Sequence, residues 1–153
     1  MLKLNPFRQT AGLCGPAALK IALNFWGIDK TEDELVLLTK TIIGEGTPGE
    51  KIVIAVWSLG LNAEMEDDST FEKIQSWLEK GVPVMVDWFD EDDGHYAIVV
   101  DLDEINIYLQ DPELADIRIL PREHFFRVWF DFPGDFLRTK DDLVLRRLIA
   151  IYK

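Results

Sequence analysis

Helical periodicity runs through the first half of this chain and strand patterning through the second, with little interleaving of the two. Leu19, Ala22, Leu23 and Trp26 recur at helical spacing, and Gly27 supplies a stop. Three further helix starts pair a hydroxyl residue with a glutamate three positions on: Thr31 with Glu34, Thr47 with Glu50, and Ser69 with Glu72. In that pattern each side chain bonds the other residue's backbone N–H, which satisfies two donors that a helix start leaves free. The last of these helices runs through Ile74, Trp77 and Leu78 to Gly81. Beyond it, residues 82–89, 96–102, 105–109 and 117–120 are rich in β-branched and aromatic side chains and read as strands. A short aromatic helix over 122–129 follows, and residues 145–152 are placed to close the sheet. Helices followed by an antiparallel sheet predict an α+β fold. The helical part spans about 1–80 and the sheet part about 81–153.

A chain of 153 residues with no internal repeat or long linker is expected to form one domain over 1–153. At that size roughly 70% of the unfolded surface can be buried. Five Trp, three Tyr and nine Phe within a 48% apolar composition exclude a disordered chain. No apolar run approaches the roughly 20 residues that span a bilayer, and Met1 to Pro6 lacks the apolar stretch of a secretory signal. The formal charge is -12, with 28 acidic against 16 basic side chains. Nucleic acid is therefore not an expected partner, because phosphate binding needs clustered Lys and Arg. An anionic membrane surface is excluded on the same ground, whereas a basic peptide would be attracted at long range.

Cys14 is the only cysteine, which rules out an internal disulfide framework and fits a reducing compartment, with the cytoplasm as the expected location. It opens the run Cys14-Gly15-Pro16-Ala17-Ala18-Leu19, which reads as the first turn of a helix, where proline is well tolerated. A thiol there meets free N–H groups and the positive end of the helix dipole, and both favour the thiolate. A buried packing thiol is the plain alternative.

A thiol nucleophile needs a base, and the base needs a third group to hold its tautomer. The chain has two histidines. His95 follows the turn Asp90-Glu91-Asp92-Asp93-Gly94 and begins a strand, from which it is expected to project at the sheet edge into a cleft. His124 lies among charged neighbours on the short helix, where it caps or covers that helix. His95 is the better placed base. A hairpin turning near residue 103 brings Asp111 opposite the start of the His95 strand, and Pro112 ends the ladder there. A strand-ending Asp-Pro turn is the simpler account of that pair. The carboxylates of 90–93 stand to raise the pKa of His95 and to attract a basic segment, although a solvated turn explains them as well. They lack the spacing and the distal glutamate of a calcium loop. No metal and no cofactor is assigned.

Gln9, the Cys14 to Leu19 run, Gly94-His95-Tyr96 and Asp111-Pro112 together resemble the bacteriocin-processing, double-glycine-leader peptidase family of papain-like cysteine peptidases. Gly46-Thr47, Leu59-Gly60-Leu61, Gly81-Val82-Pro83-Val84 and the segment 126–129 fall in the order expected of that family. The resemblance implies a papain-like fold and hydrolysis of a bond in a peptide or protein substrate. It implies Cys14 as nucleophile, His95 as general base and acid, and Asp111 as the orienting carboxylate. Gln9 becomes the side-chain donor of the oxyanion hole, beside the backbone N–H of Cys14. The family usually sets its glutamine six residues before the cysteine, whereas five separate them here, and Leu13 stands where an acidic residue is frequent. Many relatives are the N-terminal part of a membrane exporter. This chain shows no transporter segment, so association with an exporter stays open. Two other readings of the same core are a non-catalytic peptide-binding module and an acyltransferase of the phytochelatin-synthase kind. Trp57 and Trp88 are candidates for lining the substrate pocket, and core packing explains them equally.

Overall fold

The strand β2 (Val84–Asp90) and its neighbour β3 (Asp93–Leu102) are buried without a break over 84–88 and 95–100, the mark of strands covered on both faces. The computed structural model, which describes residues 1–153, shows that cover. Three helices precede the first strand: α1 (Cys14–Phe25), α2 (Glu32–Thr39) and α3 (Gly49–Ser58). Then come β1 (Asn62–Glu66) and α4 (Phe71–Glu79) ahead of β2 and β3. The chain continues with β4 (Asn106–Asp111), β5 (Asp116–Pro121) and α5 (Arg122–Val128). It ends with β6 (Phe130–Asp131), β7 (Val144–Leu145) and β8 (Leu148–Tyr152).

Six strands form one antiparallel sheet in the order β1-β8-β2-β3-β4-β5, and β6 with β7 forms a separate ribbon. One face packs Met85, Tyr96, Ile98, Ile149 and Ile151 against α1 and α3, through Leu19, Leu23, Ile52 and Val56. The other packs Val84, Val86, Ala97 and Val99 against Ile74, Phe125 and Trp129 of the α4–α5 side. Phe125 and Trp129 are fully buried, so truncating either to alanine costs about 3–5 kcal/mol. The predicted α+β fold is the observed one, with β1 added inside the helical half, where it pairs with β8 at the sheet edge.

A side-chain cap closes the start of two of the five α-helices. Thr31 and Glu34 form the full reciprocal cap of α2. The predicted start at Ser69 moves by one residue, because Thr70 is the cap and accepts from Lys73 N, while Ser69 bonds the Glu66 carboxylate. The predicted cap at Thr47 is absent, and α3 begins after Pro48. Thr47 is drawn instead into a buried hydroxyl chain with Thr41 and Thr39, and it lies against Gly15. A Cβ at Gly15 would stand 2.6 Å from Thr47 Oγ1, so glycine lets the start of α1 approach the loop before α3. No helix is long and apolar enough to cross a membrane.

Candidate active site

α1 begins at Cys14 and lies against β2 and β3. Its N-cap, Leu13, offers no side-chain acceptor, so the first-turn N–H groups keep their hydrogen-bonding capacity beside the half-buried thiol. His95 is the third residue of β3, opposite Trp88 in the β2–β3 hairpin. Asp90 pairs with Asp93, which leaves only Glu91 and Asp92 as the turn. The expectation that His95 begins its strand and projects from the sheet edge is therefore corrected, since it sits within the ladder with 5% of its surface exposed.

The partner of His95 is set by one extra residue. Counting back from the β3–β4 turn, Leu102 pairs with Ile107 and Asp101 with Tyr108. Regular pairing would then place Asp111 opposite Ile98, whose side chain packs on the α1 face. A bulge between Val99 and Asp101 shifts the register, so that Val99 meets Leu109 and Ile98 meets Gln110. Asp111 consequently falls opposite Ala97, on the face that Ala97 and Val99 share with His95. There His95 Nε2 and Asp111 Oδ1 are 2.6 Å apart, and Asp111 is fully buried.

Further partners fix this pair. The Glu113 N–H donates to Asp111 Oδ1 at 2.9 Å, and Arg118 Nε donates to Oδ2 at 2.6 Å. The Arg118 guanidinium lies over Trp88, whose ring meets His95 edge-on with centroids 5.9 Å apart. Arg118 also pairs with Asp90 at 3.4 Å. Burial alone would raise the Asp111 pKa, but the hydrogen bond and charge of His95, then the Glu113 N–H and Arg118, hold it below the usual carboxylate range. Burial alone would lower the His95 pKa, yet its hydrogen bonds to Asp111 and to Cys14 push it up to about 10. The expected influence of the 90–93 turn on His95 is not among the leading causes, because those carboxylates face solvent or Arg118. With Nε2 turned to Asp111, Nδ1 is the ring nitrogen left for the thiol.

Gln9 joins the same region through its backbone. Its N–H donates to Pro112 O at 2.8 Å, which ties the segment before Cys14 to the residue after Asp111. The Arg8 guanidinium reinforces this by donating to the carbonyls of Glu113 and Leu114. Gln9 lines a cleft of about 1030 Å³ together with Cys14 and His95, and its buried Oε1 has no protein partner. His124 is exposed on α5. Trp57 is exposed on α3, and Trp88 is buried against His95; neither lines the cleft. A second cavity, of about 900 Å³ near Phe71, Arg122 and Phe126, carries no thiol and no imidazole.

His95, Asp111 and Glu113 bring ligand atoms within 4.8 Å of one another. The Arg118 guanidinium occupies the second oxygen of Asp111 and opposes a cation there, so this group is read as a proton-handling pair with its support. Arg118 was missed in the sequence, although a lone arginine in Ile117-Arg118-Ile119-Leu120 marks a charge set into an apolar strand.

The sequence profile described as the peptidase C39-like family matches residues 1–133, the stretch that holds Gln9, Cys14, His95 and Asp111. The chain belongs to this family. An uncharacterised protein of Methanothermobacter thermautotrophicus is 35% identical over 121 residues, covering 76% of this chain and 75% of that one. One from Methanothermobacter marburgensis is 33% identical over 116 residues, covering 73% and 74%. A C39-like peptidase structure from Bacillus anthracis, described as putative, superposes with a TM-score of 0.74 at 18% identity, over 97% of this chain and 94% of that one. The peptidase domain of Streptococcus ComA, a bifunctional ABC transporter of a quorum-sensing pathway, gives 0.72 at 18%, over 99% and 98%. A double-glycine-motif protease from an AMS/PCAT transporter, solved with its leader peptide, gives 0.70 at 17%, over 99% and 94%. The fold is that of C39 peptidase domains. Family and fold support a papain-like cysteine peptidase at the level of the family.

Proposed function

We propose that this C39-like protein hydrolyses a peptide bond with Cys14 as nucleophile, His95 as base and acid, and Asp111 as the group that orients His95. The observation that carries the reading is the 2.6 Å pair of His95 and Asp111 at a cleft that Cys14 also lines, with the thiol among the groups that hold the His95 pKa up. His95 Nδ1 takes the thiol proton, and the sulfur attacks the substrate carbonyl to form a C–S bond. The oxyanion is held by the Cys14 backbone N–H and the Gln9 side-chain amide. His95 then gives its proton to the leaving amine as the C–N bond breaks. Water, deprotonated by His95, releases the acyl group and restores the thiol. Asp111 stays ionised throughout and supports the imidazolium, which the pKa of about 10 favours at neutral pH.

The substrate is a peptide or an unfolded protein segment, by analogy with the protease solved with its leader peptide. The single thiol suits a cytoplasmic setting. A binding module without catalysis is disfavoured by the contact between a thiol and a charged imidazole, which passive docking does not require. Cys14→Ala is expected to abolish hydrolysis of a peptide library, read by mass spectrometry, while leaving the circular dichroism spectrum unchanged. Gln9→Ala is expected to lower turnover by on the order of a hundred- to a thousandfold. Iodoacetamide at pH 6 should label Cys14 rapidly in the native protein and slowly in His95→Ala. Undiminished hydrolysis by the Cys14→Ala protein would overturn the proposal.

A further inference from the structure

A second pair of ionisable groups lies in the same cleft and takes no part in the mechanism above. Asp87, on β2 opposite Tyr96, is 4% exposed. Its Oδ1 is buried and meets no N–H or O–H donor in the protein. The hydrogen-bond partner of the Asp87 carboxyl is another carboxyl, that of Asp131 on β6. Two acceptors in contact require a proton between them. Asp131 reaches this position because residue 94 is glycine, since a Cβ there would overlap the Asp131 carboxyl. The charge of Arg147 favours ionisation of both carboxyls, but less than burial opposes it. Arg147 is engaged by Asp67 through two hydrogen bonds, at 2.6 and 2.9 Å, and by Glu50 at 3.7 Å.

Asp87 and Asp131 line the cleft together with Cys14 and His95. The charge of Cys14 contributes to the pair's resistance to ionisation, which places Asp87 within electrostatic reach of the sulfur. The cleft lining as a whole carries twelve carboxylates against two guanidiniums. Arg8, the other guanidinium, is bound to backbone carbonyls. An acidic rim alone is a solvated surface. A buried carboxylate oxygen with no donor in the protein, on a residue that lines the cleft, favours a hydrogen-bond donor bearing positive charge.

We infer that Asp87 and Asp131 form a subsite for a cationic group of the substrate, a lysine or arginine side chain close to the scissile bond. The cation takes the place of the shared proton and donates to both carboxylates. This rests on the peptidase reading and adds a substrate class to it, with Asp87 and Asp131 as specificity residues.

The test uses the full chain and fluorogenic peptides matched except for lysine against norleucine at each position flanking the cleaved bond. Lysine at one position should raise kcat/KM by about tenfold or more over norleucine, chiefly through KM. Asp87→Asn and Asp131→Asn should each bring that ratio towards one. In parallel, calorimetry on the Cys14→Ala protein should show the lysine peptide binding more tightly than its norleucine twin. Hydrolysis with equal rates for both peptides overturns the subsite and leaves the peptidase reading intact. If no peptide is cleaved, the peptidase reading fails and the calorimetric preference alone decides the subsite. A preference that survives both asparagine variants assigns it to the rim and overturns the role of the pair. Where one asparagine variant fails to fold, the other decides, since each alone should bring the ratio towards one.

Discussion

Asp111 and Asp87 are buried carboxylates on strands of the same sheet, and their pKa values are displaced in opposite directions. Asp111 receives donors from His95, Glu113 N and Arg118, and its pKa lies below the ordinary range. Asp87 meets only another acid, and burial followed by the charge of Asp131 holds its pKa well above that range. Burial pushes both pKa values up, and the supply of donors is what reverses the outcome at Asp111. The first carboxylate can support an imidazolium. The second is paired with Asp131, where a substrate cation can replace the shared proton.

The same substitution at the two sites should act with opposite sign. Asp111→Asn leaves Arg118 and charged His95 without their counter-charge and is expected to cost about 3 kcal/mol of stability at pH 7. The lowered pKa means that Asp111 contributes stability above the unfolded value of 3.8 and loses it as pH falls through the folded value. The penalty should thus shrink in acid, as urea unfolding between pH 3 and 8 would show. Asp87→Asn supplies Asp131 with a donor and is expected to gain about 1–2 kcal/mol at pH 7. A raised pKa costs stability as pH climbs above the unfolded 3.8 towards the folded value, so this gain should vanish in acid. Loss of stability in Asp87→Asn at pH 7 would break the comparison.

Arg118→Met tests whether charge at Asp111 depends on the guanidinium. The acidic limb of the pH–rate profile should move up by about one unit, with a smaller change at the optimum. Glu113→Gln marks the lower bound. Its carboxylate is exposed and 4.0 Å from His95, so removal should change stability by less than about 0.5 kcal/mol and turnover by less than about twofold. A large effect there would mean that proximity of charge matters more than donor supply.

Legibility in the sequence divides along the same line. Cys14, His95 and Asp111 stand in local patterns: a helix start, a residue after a turn, and a strand end before proline. Their meeting was inferred from a hairpin whose turn was located correctly, although regular pairing from that turn would have put Asp111 on the wrong face. The bulge is invisible in Ile98-Val99-Val100-Asp101, because each of those residues suits either register. It is imposed by the need to bury Val100 with the α1 face and Leu109 with the α5 face. Thr47 shows the same limit: its sequence is a cap, but a buried hydroxyl chain claims it.

The sequence by itself determined the helices, the central strands and their order, the single thiol at a helix start, and the family to which the chain belongs, because periodicity, capping and motif spacing act over a few residues. The tertiary structure alone decided in which direction each buried carboxylate's pKa is displaced. Arg118 comes from the strand beyond Asp111, and Asp131 reaches Asp87 from a separate ribbon through the space left by Gly94. A carboxylate takes its charge state from donors and charges within a few ångströms, and the fold gathers those from segments far apart in the chain.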